Sequence, residues 1–99
     1  MKPRYTSRAA RHLVNIASHI ATQSPAGAAH IGGRIREVAE LLARFPDLGH
    51  EGTLAGPREI VVPGLPYVIV HRVESVDTLA VLGVYHGAQL RPGQTGPSD

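Results

Sequence analysis

Apolar residues recur at helical spacing in two stretches of this 99-residue chain and cluster in strand-like runs in three more. Ala9, Leu13, Ile16, Ala17 and Ile20 fall on one side of a helix, with Arg8, Arg11, Asn15, Ser18 and Thr22 on the other. Ser7 stands where an N-cap would, so the pattern predicts an amphipathic helix of about four turns. Ser24-Pro25 starts a second one, with Ser24 as cap and Pro25 at the first helical position, where a missing N–H costs nothing. Its stripe is Ile31, Ile35, Val38, Leu42 and Phe45, and Pro46 ends it. Arg36–Glu40 and Glu40–Arg44 are spaced as i,i+4 ion pairs on its exposed side. Gly32-Gly33 inside this helix costs about 1 kcal/mol per glycine relative to alanine, and close backbone packing against the first helix is the expected compensation.

The Gly- and Pro-rich stretch 46–57 reads as loop, and Pro3-Arg4-Tyr5-Thr6 as a short edge strand. Three strand signals follow the loop: Arg58-Glu59-Ile60-Val61-Val62, then Tyr67 to Val73, then Thr78 to His86. Pro63-Gly64-Leu65-Pro66 and Glu74 to Asp77 are turns, and such short connections imply antiparallel neighbours. The predicted architecture is α+β in two layers: an N-terminal helical hairpin packed on a largely antiparallel sheet, in the order β-α-α-β-β-β. Residues 1–90 form one domain, and the tail 91–99, with no apolar residue, is expected to be disordered.

Composition changes this picture in three ways. The chain has no cysteine, which removes disulfides, thiolate metal sites and cysteine nucleophiles together. No apolar run approaches the ~18 residues of a membrane span, and the N-terminus lacks a secretory h-region, so a cytoplasmic protein without membrane contact is expected. Charge is divided unevenly. Lys2, Arg4, Arg8, Arg11, Arg34 and Arg36 precede the first acid, Glu37, and the remainder carries eight acids against Arg44, Arg58, Arg72 and Arg91. A basic N-terminal half suggests an anionic partner, and its arginines favour bidentate contact with carboxylate or phosphate.

No phosphate loop, dinucleotide fingerprint, HExxH or GxSxG occurs, and no cofactor or metal is expected. His12 and His19 lie about two helical turns apart, too far for one metal, and read with His30 as surface residues. His50-Glu51 sits in the loop, where an acid or base could be placed. Strand alternation groups Arg58, Ile60 and Val62 on one face, and Tyr67, Ile69, His71 and Val73 on one face of the next strand. Tyr85 and His86 then point to opposite faces. Arg, His and Tyr side chains near one another can cleave RNA, with a base on the 2′-OH and arginine on the phosphate. The same groups serve equally as structural pairs at a strand edge.

Three stretches carry a resemblance: "SRAARHLVNIASHIATQSPAGAAHIGGRIREVAELLARFPDLGHEG", "GPREIVVPGLPYVIVHRV" and "LAVLGVYHGAQ". In this order, and with the β-α-α-β-β-β succession, the chain resembles the RelE/ParE superfamily of toxins from type II toxin–antitoxin pairs over residues 4–90. The resemblance implies a growth-inhibiting toxin neutralised by a cognate antitoxin, with Arg8, Arg11, Arg34 and Arg36 as candidate antitoxin contacts. It leaves two targets open. RelE-like members cut mRNA on the ribosome, and Arg58, Arg72, Tyr85 and His86 are the positions that carry over as a catalytic set. However, the chain holds one lysine, Lys2, and Tyr67 stands where related nucleases tend to have arginine. "RE…PYVIVHRV…YHGAQ" is closer to the ParE branch, which implies inhibition of DNA gyrase. A degenerate toxin that only binds antitoxin is the third reading.

Overall fold

A computed structural model gives the fold, and it describes residues 1–51 and 56–87. The expected tail 91–99, Ala88-Gln89 and residues 52–55 lie outside the described residues. The elements run β1 (Lys2–Tyr5), α1 (Ser7–Ala21), α2 (Pro25–Arg44), β2 (His50–Glu51), β3 (Arg58–Val61), β4 (Tyr67–Ser75) and β5 (Thr78–His86). They build one five-stranded sheet in the order β1-β5-β4-β3-β2. The β3-β4-β5 meander is antiparallel as expected, while β1 returns to the far edge and runs parallel to β5. The sequence did not reveal β2. Two residues inside a Gly-rich stretch carry no alternation, yet His50 and Glu51 pair with Glu59 and Arg58.

Local chemistry sets the helix ends. The cap of α1 is Thr6, one residue before the expected Ser7, and its hydroxyl accepts from Ala9 N–H at 3.1 Å. Thr6 wins because its backbone is already committed, its N–H donating to Val81 O of β5. Ser24 caps α2 as expected, accepting from Gly27 N–H at 2.9 Å with Pro25 at the first position. The glycine pair does not bring the helices together. A Cβ on Gly33 would meet nothing within 4 Å, and one on Gly32 would meet only the Arg36 guanidinium, at 3.5 Å. Gly32 instead lines an interhelical cleft of about 200 Å³ with Leu13, Ile16, Ile35 and Arg36. Because Gly32 leaves that room, Arg36 lies back over it, and the ion pair that forms on α2 is Arg34–Glu37 at 2.8 Å, not the i,i+4 pairs.

The core lies between the helices and one face of the sheet. Ile35, Val38, Ala39 and Leu42 of α2 and Ala9 of α1 pack on Val62, Tyr67, Ile69, Leu79, Val81 and Val84. In β5 the helix-facing residues are odd-numbered up to Val81 and even-numbered from Val84, because Leu82 is an unpaired bulge between the Val70–Gly83 and His71–Val81 pairs. At the other end of the β4–β5 ladder, Glu74 bulges between Val73 and Ser75 and meets Arg4 of β1 in a two-pronged ion pair. Ala80, fully buried between the two strands, is small enough for Arg4 to reach across it.

One polar residue sits inside this core. His71 is fully buried and neither ring nitrogen has a hydrogen-bond partner. Its cross-strand neighbour is Arg58, whose Nε is likewise buried and unpartnered. The Arg58 guanidinium reaches outward and donates to Asp47 O and Gly49 O at 2.8 and 2.9 Å, fastening the segment that leads into β2. Burial, reinforced by the Arg58 charge, pushes His71 down to about 4, so the ring is neutral in the folded chain.

Two outcomes follow from this packing. Gly33→Ala should raise stability by about 0.5–1 kcal/mol in denaturant unfolding, since the added methyl meets nothing and the unfolded chain loses freedom. A loss would show that the helix is tighter there. For His71, the unfolded ring takes its proton near pH 6.5 and the folded ring only near 4. Stability is therefore complete above pH 6.5 and drains as pH falls from 6.5 to 4. By pH 4.5 the loss from this residue is on the order of 2 kcal/mol. The difference in unfolding free energy between pH 7 and pH 4.5 should shrink by that amount in His71→Leu, whatever the variant's baseline. Equal slopes in the two proteins would refute a neutral buried His71.

Candidate functional site

Pleat geometry distributes the four candidate catalytic residues over both faces of the sheet. Arg58 pairs with His71 and His86 with Tyr67, which places both on the helix-covered face. They stand four residues apart along β4, about 13 Å. Arg72 pairs with Ala80 and Tyr85 with Val68, so this second couple shares the opposite face at the same spacing, again about 13 Å. Arg58 is engaged with main-chain carbonyls. Arg72 is exposed and, with Arg4, helps hold the Glu74 carboxyl below its usual range, the hydrogen bonds from Arg4 being the larger cause. The Tyr85 ring folds back over Gly83, so closely that a Cβ there would lie 2.5 Å from it. His86 is exposed, edge-on to Tyr67 with 5.9 Å between ring centres. No two of the four meet in a position to share a scissile phosphate.

The structure instead brings together residues that sequence reasoning set aside. β1 pairs with β5 only through Val81, and among the described residues no strand continues along the outer edge of residues 82–86. Side chains from the start of α1 continue the ladder. The Thr6 hydroxyl donates to Leu82 O at 3.2 Å, and His12 Nδ1 accepts from Val84 N–H at 3.1 Å. The His12 ring then meets Tyr85 edge-on, 4.7 Å between centres. Desolvation, followed by the charges of Arg8 and Arg11, lowers the His12 pKa, in keeping with a ring nitrogen that must stay unprotonated to accept. His12 was expected to be a surface residue. The available hint is its position at the margin of the apolar stripe, three residues after Ala9 and four before Ile16. His19 and His30 are exposed as expected. His50 is exposed too, with its Nε2 3.9 Å from the Glu59 carboxylate.

The four candidate partner-binding arginines occupy three surroundings. Arg8 and Arg11 lie exposed on the first turns of α1. Arg36 lies over the interhelical cleft, and Arg34 looks the other way, two residues and ~200° around α2. Arg34 borders a groove of about 430 Å³ between α2 and β3, floored by Val38, Leu41, Ile60 and Pro63 and flanked by Glu37, Glu40 and Arg44. The pairing of β2 stops at Glu59, so among the described residues no strand covers the β3 edge beside this groove at Val61, whose side chain is exposed. Among the described residues no group of three or more His, Asp or Glu side chains is placed to hold a metal ion. No described helix is long and apolar enough to cross a membrane.

Comparison with known proteins accounts for the architecture. The model of the ParE toxin family of type II toxin–antitoxin systems (parDE) matches residues 4–91. A candidate toxin, Y4kP of Sinorhizobium fredii, is 34% identical over 89 residues, covering 90% of this chain and 91% of its own. Among solved structures, a chain of the chromosomal ParDE toxin–antitoxin system from P. aeruginosa superposes with a TM-score of 0.77, over 87% of this chain and 95% of that one. At 21% identity that likeness speaks for the fold. A helical hairpin on a mixed five-stranded sheet, matched along nearly its whole length, makes this chain a member of the ParE toxin family of type II toxin–antitoxin systems.

Proposed function

We propose that this toxin arrests growth by inhibiting DNA gyrase and that a cognate antitoxin neutralises it. The dispersal of Arg58, Arg72, Tyr85 and His86 carries the preference for gyrase over RNA cleavage. General acid–base catalysis needs its groups within hydrogen-bond reach of one reacting centre, whereas the members of each couple here stand about 13 Å apart along the sheet and the two couples lie on opposite faces. Inhibition by binding makes no such demand. The antitoxin reading is supported by family membership and by an acid-free N-terminal third. An acidic segment that folds on binding would find arginines on both helices, and beside Arg34 an apolar groove and an open strand edge.

Cleavage of mRNA on the ribosome is the second reading, and the exposed His86 beside Tyr67 is the observation in its favour. Purified toxin added to gyrase should abolish supercoiling or accumulate cleaved DNA while ribosome-bound mRNA stays whole. Intact supercoiling with cut mRNA would reverse the assignment, and His86→Ala should then lower cleavage ~100-fold. Expression of the chain alone should stop growth, and continued growth would leave only antitoxin sequestration. Co-expression with the product of the neighbouring reading frame should restore growth. Charge reversal of Arg8 with Arg11, or of Arg34 with Arg36, should weaken that complex about tenfold or more, as loss of charge-assisted bonds predicts.

A further inference from the structure

The seam between α1 and the end of β5 is more than a structural repair. His12, Asn15, Ile16, Val84 and Tyr85 line an open pocket of about 110 Å³, room enough for a small polar group. The Val84 N–H occupies His12 Nδ1, and an imidazole that accepts at Nδ1 carries its proton on Nε2. The fold thus fixes the tautomer and leaves Nε2–H as a donor with no backbone partner among the described residues. Arg8, His12 and Asn15 follow one another at i, i+4 and i+7 along α1, and Arg11 stands one turn before Asn15. Both guanidinium groups are exposed, and among the described residues neither has an ion-pair partner. No acid occurs on α1 or anywhere before Glu37. An imidazole and an amide line the hollow, and the two arginines stand beside them along α1, near enough for their charges to act on His12, without a carboxylate on that helix.

We propose that this pocket binds a phosphoryl group, with the His12 Nε2–H and the Asn15 amide donating to its oxygens and Arg8 and Arg11 closing over it. Arginine is suited to this role because its planar fork meets two oxygens of one tetrahedral anion. A dianion also offsets the mutual repulsion of two unpaired guanidinium groups beside a neutral ring. The site does not depend on which enzyme the toxin inhibits. Free phosphate, a nucleotide and the backbone of a nucleic acid all present this chemistry.

Titration of the isotope-labelled protein followed by NMR separates these sources. Inorganic phosphate at constant ionic strength should move the Val84 amide and the His12 ring signals along a saturable curve, while chloride at the same ionic strength leaves them in place. Arg8→Gln combined with Arg11→Gln should raise the dissociation constant about tenfold or more, with the Val70 and Ile69 amides unshifted as proof of an intact fold. A short DNA duplex that moves the same signals at lower concentration, with affinity falling steeply as salt rises, identifies nucleic-acid backbone as the source. Response to phosphate but not to the duplex identifies a small ligand. If neither probe moves the Val84 and His12 signals, or if the shifts are linear and survive loss of both arginines, the proposal fails.

Discussion

β5 is nine residues long and β1 covers only four of them, and much of the molecule is arranged around that mismatch. A central strand cannot leave its edge amides bare against a helix, because an unsatisfied buried donor costs about 1–3 kcal/mol. The chain meets the need with the two α1 side chains that arrive at the right height, Thr6 and His12. One residue at the cap and one less than two turns later thereby fix both the angle and the depth of the helix. Since α2 packs on α1 and on the same sheet face, the position of the second helix follows from the first.

The larger part of the fold was legible in the sequence because it rests on periodicity. Both helices, the meander and the separation of Tyr85 from His86 follow from spacings of 3.6 and 2. The parts that were not legible depend on what the chain meets only after folding. His12 looks like an ordinary helix histidine until the place where β1 stops is known. The two residues of β2 are held by Arg58 and a short ladder, and nothing in "GHEG" announces either. Gly32-Gly33 invited a close helix contact, whereas the structure uses Gly32 to make room for an arginine. The cap fell one residue early because Thr6 was already bound to Val81 by its backbone.

The candidate site depends on more than periodicity. The family resemblance carries Arg58, Arg72, Tyr85 and His86 over by motif as one set, but a sheet sorts residues by face and by row. Face was predictable, and row was not, because it depends on strand register. The sheet sends these residues to two rows on each of two faces. A family that shares this scaffold can thus host different actions according to which side chains its rows bring into line.

Leu82 shows how such a scaffold absorbs change. The run Leu79 to Val84 is apolar without a break, so its pattern conceals that one residue is surplus to the ladder. The surplus resets the phase of the strand: Val81 and Val84 both reach the core, three residues apart, while Gly83 and Tyr85 stay behind the sheet. An insertion or deletion in most strands inverts everything downstream. At Leu82 the chain can lose a residue and keep every β4 partner on either side of it, so what holds the extra residue in place is the Thr6 hydroxyl on its carbonyl and not the sheet ladder.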